Sequence, residues 1–92
     1  MKSRFEVLSE FSNMGDTVIL TANGILYEGA IVDITADKMA FFVSGPMSEG
    51  VKMISLSSID LDKLAFYDEK AACLKSVKWD EVSNIWVIKN YP

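Results

Sequence analysis

The residues best suited to bind a ligand lie near the C-terminus, where lysines alternate with large aromatic side chains. Aromatic faces on which bases stack, interleaved with cations that pair with phosphates, are what a protein needs to hold a single nucleic-acid strand. We expect Lys78 and Trp79 to make such contacts. The same aromatics could instead pack against the rest of the chain or a neighbouring subunit, because large aromatic side chains in a small domain are usually buried. The residues concerned are Lys75, Lys78, Trp79, Trp86, Lys89 and Tyr91.

Residues that could do catalysis are sparse. The chain has no histidine and a single cysteine, Cys73. General acid-base catalysis near neutral pH usually uses histidine, and a zinc site needs several Cys or His ligands. Two carboxylate pairs, Asp60 with Asp62 and Asp80 with Glu81, have no partner ligands or glycine-rich phosphate loop nearby, so solvated strands and turns explain them. The sequence therefore predicts no enzyme, no cofactor, no metal site and no small-molecule substrate, with Cys73 as a small buried residue.

The composition indicates a folded module with more apolar surface than a monomer needs. Of 92 residues, 50% are hydrophobic and 24% are charged, which suits a single domain over residues 1–92. The formal net charge is −4, yet the segment from residue 70 onward has four lysines and only two acidic residues and is therefore basic. The longest charge-free stretches, 17–27 and 39–48, are about half the length of a membrane-spanning helix. We expect a cytoplasmic, self-associating chain with no membrane partner.

A short N-terminal helix is predicted over residues 4–12. Ser3 and Glu6 have the spacing of a capping box, and apolar residues then recur about one helical turn apart. The helix should precede every strand of the chain.

Strands and turns account for the rest of the sequence. Asn23 and Gly24 form the strongest hairpin signal, because both central residues of a type I′ turn need positive φ. Gly29, in the middle of the long second strand, is the expected bend. Strands are predicted over 17–22, 25–35, 39–44, 51–56 and 59–68, with a loop at 45–50, a corner at 57–58, a brief helix at 70–75, and a terminal hairpin turning near 81–84.

The second and third strands are apolar on both faces. Side chains alternate across a strand, so each strand has an inner and an outer set. In the second strand the sets are Tyr27 and Ile31 against Leu26, Ala30, Val32 and Ile34; in the third they are Met39, Phe41 and Val43 against Ala40 and Phe42. A small barrel buries only its inside, so its outer face needs the helix or another subunit.

Residues 18–43, VILTANGILYEGAIVDITADKMAFFV, resemble the first motif of the Sm and LSm proteins. In that motif an Asn-Gly turn leads to an aromatic, a second glycine, an aliphatic and an acidic residue. MISLSSIDLDKL, residues 53–64, stands in place of the second motif, so the resemblance covers residues 4–67. It implies a mainly β fold: a strongly bent five-stranded Sm-like β-barrel over about 17–68, a short N-terminal α-helix, and a C-terminal extension, a hairpin, over about 69–92. The first-motif positions are Gly24, Tyr27, Gly29, Ile31 and Asp37.

The resemblance also implies a homo-oligomeric ring in which strand four of one copy pairs with strand five of the next. Such pairing removes open edges and covers outward apolar side chains. The nucleotide site departs from the family pattern: the base-contacting asparagine falls on Ala40, the Arg-Gly pair falls on Ser55 and Leu56, and the bacterial Lys-His signature is absent. A remaining loop site would consist of Asp37, Lys38, Met39, Ser55, Leu56 and Ser57.

The sequence thus predicts a ring-forming protein that binds single-stranded nucleic acid, RNA rather than duplex DNA, with a role in RNA or DNA processing. The alternative is a non-catalytic structural or adaptor β-barrel that mediates protein-protein assembly without nucleic acid. A pI of about 4.6 and the missing Arg-Gly pair favour this alternative. A monomeric Src-homology-3-like barrel that binds peptides is a third option.

Overall fold

The computed structural model describes residues 2–44 and 50–91, which form one short helix and one antiparallel sheet of seven strands. The strand order is β4-β3-β2-β1-β5-β6-β7, and the sheet is not closed. Neither helical segment of these residues has the length and apolarity needed to cross a bilayer. The elements are α1 (Arg4–Ser12), β1 (Val18–Ala22), β2 (Ile25–Ile34), β3 (Lys38–Val43), β4 (Gly50–Ser55), a 3-10 turn (Leu56–Ser58), β5 (Leu64–Asp68), β6 (Cys73–Asp80) and β7 (Ile85–Asn90).

The mainly β prediction is confirmed, whereas the expected strand count is wrong. The predicted terminal hairpin forms, with its turn at residues 81–84, but β6 pairs along the whole of β5 and so continues the same sheet. A five-stranded barrel with a separate extension is therefore replaced by an open sheet of seven strands. The predicted loop at 45–50 lies outside the described residues except for Gly50, which begins β4.

The predicted helix is present and closes the inner face of the sheet. The hydroxyl of Ser3 accepts from the backbone N–H of Glu6, and the Glu6 carboxylate accepts from the backbone N–H of Ser3, so the capping box is complete. The inward side of α1 carries Val7, Leu8 and Phe11, all fully buried in the core. The helix thus covers one face of the sheet and leaves the other to solvent.

Gly29 is the point at which β2 changes neighbours. It pairs with Val18 of β1 on one side and with Val43 of β3 on the other. A Cβ at this position would lie 1.8 Å from the carbonyl oxygen of Phe42, so the close backbone approach requires glycine. The turn before it also matches expectation, since Asn23 and Gly24 both have positive φ.

The irregularity in β2 is a bulge beyond Gly29, and it changes which residues face the core. The pairing with β3 shifts register between Ile31 and Asp33. A bulge sets two residues against one and interrupts the alternation of side chains. Ile34 consequently pairs with buried Met39 and packs against the core, so its predicted place beside exposed Val32 is wrong.

The predicted fifth strand is shorter than expected because its first half folds as turns. The N–H of Ile59 donates to the carbonyl of Leu56 and closes the 3-10 turn, and Ile59 makes only an isolated bridge to Ala22. Lys63 N–H then donates to Asp60 O in a second turn. Only Leu64–Asp68 remains strand. Residues 57–58, where a sharp bend between strands was predicted, lie inside the 3-10 turn.

The predicted helix at 70–75 is wrong. The carboxylate of Asp68 accepts from the N–H groups of Lys70 and Ala71, a local turn that competes with helix formation. Ala72 then adopts a left-handed φ of 52°, and β6 begins at Cys73. Residues 69–72 are therefore a turn between β5 and β6.

Candidate functional site

The loop residues predicted to bind nucleic acid meet where β3 begins and β4 ends. Lys38 is the register partner of Ser55, and the carbonyl of Asp37 accepts from the N–H of Leu56 at 2.9 Å. The hydroxyls of Ser55 and Ser57 are 3.0 Å apart. We call Asp37, Lys38, Ser55, Leu56 and Ser57 the corner.

Two of the predicted contact residues are inaccessible. Met39 has 0% of its surface exposed and Leu56 has 2%, because both side chains belong to the core. A ligand at the corner could reach the backbone of Leu56 but not its side chain, and could reach nothing of Met39. Asp37, Lys38, Ser55 and Ser57 are all exposed.

Arg4 is a cation at the corner that the sequence reasoning missed. Its guanidinium donates to the carbonyl oxygens of Leu56, at 2.9 Å, and Ile59, at 2.6 Å. It lines a shallow cleft of about 210 Å³ whose other walls are Ala36 and the corner residues Asp37, Ser55, Leu56 and Ser57. No spacing in the sequence links Arg4 to a turn 52 positions away; only the closure of α1 over the sheet does so.

The tryptophans near the C-terminus pack inside the molecule. Trp79 is 7% exposed, and its ring meets that of Trp86 edge-on with centroids 5.2 Å apart. Trp86 also packs against Phe11 of α1. Lys78 is exposed, but as the neighbour of Trp79 along β6 it projects from the opposite face. Trp79 therefore offers no open face for a base to stack on, and the two tryptophans pack as the alternative interpretation expected.

A polar clasp joins α1 to the β6–β7 hairpin. Trp86 Nε1 donates to Glu10 Oε1 at 3.0 Å, and Lys2 forms an ion pair with the same carboxylate while its ammonium lies 5.2 Å from the Trp79 ring centroid. The hydrogen bond from Lys2, followed by that from Trp86, holds the pKa of Glu10 below its usual value. The clasp is therefore strongest with Glu10 ionised.

The β4 end of the sheet presents apolar side chains beside an open edge. Among the described residues no strand pairs with the far side of β4. Val51 is 57% exposed and Met53 59%, both on the outer face with Phe42 of β3. Lys52 lies between them, but its ammonium sits 5.6 Å from the ring centroid of Tyr27, which packs against the core. The charge of Lys52 is thus drawn toward the inner face.

The β5 edge needed for the predicted ring is occupied. β5 pairs with β1 through Ala65 and Phe66, and with β6 through all five of its residues. A neighbouring β4 could reach β5 only by displacing β6. The second open edge in the described chain belongs instead to β7.

The β7 edge carries polar side chains beside the exposed aliphatic residues Ile85 and Ile88. Lys75 Nζ donates to Asn90 Oδ1 at 2.8 Å, and Lys89 is exposed beside Asn90. Charged side chains at an edge are a common protection against pairing with another chain. Each open edge strand thus carries one exposed lysine, Lys52 on β4 and Lys89 on β7, beside exposed apolar side chains.

Comparison of the chain with family models, with curated proteins and with solved structures found no match. Within residues 2–44 and 50–91 no group of three or more His, Cys, Asp or Glu side chains could hold a metal ion. The geometry of the corner, the clasp and the two edges is therefore what a functional interpretation rests on.

Proposed function

We propose that this chain is a non-catalytic assembly module that joins copies of itself through the β4 end of its sheet. The observation that carries the proposal is that the exposed side chains of Val51 and Met53 lie on a strand whose outer edge is open in the described chain. An edge strand that is apolar and unprotected is a template for strand addition. The one lysine of β4, Lys52, has its ammonium 5.6 Å from the ring centroid of Tyr27.

The arrangement of the inner face supports the same conclusion. Helix α1 and the inner side chains of the sheet form a single buried core, so the helix is not available to cover β4 from outside. In a sequence that is 50% hydrophobic, several large apolar side chains therefore remain exposed to solvent on the outer face. A second copy would shelter it.

Sedimentation equilibrium over a range of concentrations tests this function. We expect the wild-type chain to exceed its monomer mass of 10.2 kDa, and the double variant Val51→Lys with Met53→Lys to stay at that mass. Val82→Lys is the matched control, because Val82 is 97% exposed but lies in the β6–β7 turn. A wild-type chain that remains monomeric at every concentration contradicts the proposal.

A second candidate function is binding of single-stranded nucleic acid at the corner, as the resemblance to the Sm and LSm proteins suggests. Arg4 supports it, because a guanidinium fixed by two backbone carbonyls stands beside the hydroxyls of Ser55 and Ser57. The family places an arginine in its second motif, and here α1 supplies one instead. The strand order supports the same resemblance, since among the first five strands β4 and β5 lie at the two ends of the order.

Fluorescence anisotropy with a labelled single-stranded RNA tests this second candidate. Arg4→Gln should weaken binding, whereas Lys78→Gln, on another part of the surface, should not. Few cations surround the corner, so binding should be weak and its salt dependence shallow. Equal affinity of wild type and Arg4→Gln, with the fold of the variant verified by circular dichroism, removes the corner as a binding site.

A further inference from the structure

We infer that two copies of the chain pair their β4 edges in antiparallel orientation about a two-fold axis at Met53. The inference rests on the proposed self-assembly and specifies its geometry. The two seven-stranded sheets then become one continuous sheet, with the β7 edges at its outer ends.

The backbone of β4 has its free hydrogen-bonding groups at alternate residues. The N–H of Leu56 donates to Asp37 O, one position beyond the pairing of Lys38 with Ser55, so the backbone groups of Leu56 point toward β3. In an antiparallel pair such residues alternate with residues whose groups point away. The groups of Val51, Met53 and Ser55 therefore face the open edge.

The β2–β3 hairpin confirms this alternation from the other side. The carbonyl of Lys38 accepts from the N–H of Thr35, so the backbone groups of Lys38 point toward β2 and away from its partner Ser55. Ser55 O also accepts from the hydroxyl of Ser58 at 2.7 Å, and a carbonyl oxygen has a second lone pair for another donor.

The register follows from charge and from the number of residues paired. A two-fold axis at Lys52 would set two ammonium groups directly opposite each other, which is destabilising. An axis at Val51 would leave Ser55 beyond the partner strand. An axis at Met53 sets Met53 against Met53, Val51 against Ser55 and Lys52 against Ile54, with no like charges opposed.

The Met53 register uses the free backbone groups and the exposed side chains together. Met53 exchanges a pair of N–H to C=O bonds with its counterpart, and Val51 does so with Ser55 of the other copy. On the outer face the two Met53 side chains then contact each other, and each Val51 side chain lies opposite Ser55 of the other copy. Val51 and Met53 are both more than half exposed in the single chain.

A second copy of β4 suits this edge because the resulting junction is closed. Apolar exposure does not distinguish the two edges, since Ile85 and Ile88 of β7 are more than half exposed, as Val51 and Met53 of β4 are. Pairing of β4 with β7 would also be head-to-tail, which closes into a ring or grows into a filament, whereas two β4 edges satisfy each other in a closed dimer.

Matched proline substitutions test the pairing. Met53→Pro removes an N–H that points to the open edge, which an edge strand tolerates, and Ile88→Pro does the same on β7. The direction of the Ile88 N–H follows from the bond of Tyr91 N–H to Leu74 O, one position beyond the pairing of Lys75 with Asn90. Backbone groups alternate along β7, so those of Tyr91 point toward β6 and those of Ile88 point to the open edge. We expect Met53→Pro to weaken dimerisation at least about tenfold and Ile88→Pro to leave it unchanged.

Disulfide trapping tests the register without a proline. In a Cys73→Ser background, Met53→Cys places two thiols across a hydrogen-bonded pair, where Cα atoms about 5.5 Å apart suit a disulfide. Val51→Cys is the control, because its two copies would be roughly 13 Å apart along the strands. Oxidation should yield covalent dimers from Met53→Cys and not from Val51→Cys.

The outcomes separate this inference from the function on which it rests. Trapping at Met53 together with loss of dimer in Met53→Pro supports the two-fold pairing. An oligomer that survives Met53→Pro, or that is lost in Ile88→Pro, overturns the pairing but leaves self-assembly standing. Trapping at Val51 instead overturns the register, and a wild-type monomer overturns both proposals.

Discussion

Both ends of the sheet expose aliphatic side chains, Ile85 and Ile88 on β7 and Val51 and Met53 on β4, but only the β7 end has a tryptophan pair packed on its inner side. Trp86 packs against Phe11 of α1 and donates to Glu10, and Trp79 packs against Trp86. Val51 and Met53 are more than half exposed, and no further strand of the described chain pairs beside them. The difference arises because one short helix covers only the inner face and reaches toward the hairpin.

This difference separates an end of the sheet packed by tryptophans from the end at which we propose self-association. The β7 end combines packed tryptophans with an edge that carries the Lys75–Asn90 bond and exposed Ile88. At the β4 end the exposed Lys52 has its ammonium near the Tyr27 ring, and no further strand of the described chain pairs with the edge. We therefore expect substitutions at the two ends to affect different quantities, namely stability and association.

The largest expected effect is at Gly29, which joins the β4 end to the rest of the sheet. In Gly29→Ala the new Cβ would overlap the backbone of Phe42, so β2 and β3 must separate. We expect loss of most of the free energy of unfolding, about 5 kcal/mol or more, in urea denaturation. Gly24→Ala is the control: it meets no atom within 4 Å and should cost only about 1–2 kcal/mol for its positive φ. Similar costs at both glycines would contradict the close approach.

The next effect contrasts the two ends directly. Trp79→Ala removes a buried aromatic and should lower the free energy of unfolding by about 3–5 kcal/mol. Met53→Ala, at the exposed end, should change it by no more than about 0.5 kcal/mol when measured at concentrations where the chain is monomeric. A large loss in monomeric Met53→Ala would show that the β4 end is covered within the chain.

The smallest effect concerns the clasp at the β7 end. Because Glu10 has a lowered pKa in the folded chain, its ionised form stabilises the fold above the unfolded-state pKa of about 4.3, and that contribution is lost as pH falls through the folded value. Wild type should exceed Glu10→Gln in stability at pH 7, and the difference should shrink below about pH 4.3. A difference that is independent of pH between 7 and 3 would contradict the ionic clasp.

Much of the fold could be predicted from the sequence because its signals are local. Ser3 with Glu6 fixes the start of α1, and Asn23 with Gly24 fixes the first hairpin. Both signals act over two to four residues, where side-chain and backbone preferences decide the conformation. The terminal hairpin of β6 and β7 could be predicted for the same reason.

The features that were mispredicted depend on contacts between distant residues. The bulge after Ile31 sends Ile34 to the core, which strict alternation along β2 does not indicate. Arg4 reaches the corner only once α1 has packed, and β6 adds to β5 rather than leaving that edge for another copy. Because β6 occupies that edge, we propose pairing of β4 with itself in place of the β4-to-β5 ring that the resemblance implies.

Amide hydrogen exchange followed by NMR as a function of concentration tests the central claim most directly. Lys52 and Ile54 point toward β3, so their amides should be protected at every concentration, whereas the amide of Met53 should become protected only as the chain associates. The amide of Ile88, on the open β7 edge, should exchange rapidly throughout. Met53 exchanging as fast as Ile88 in concentrated solution would contradict the account.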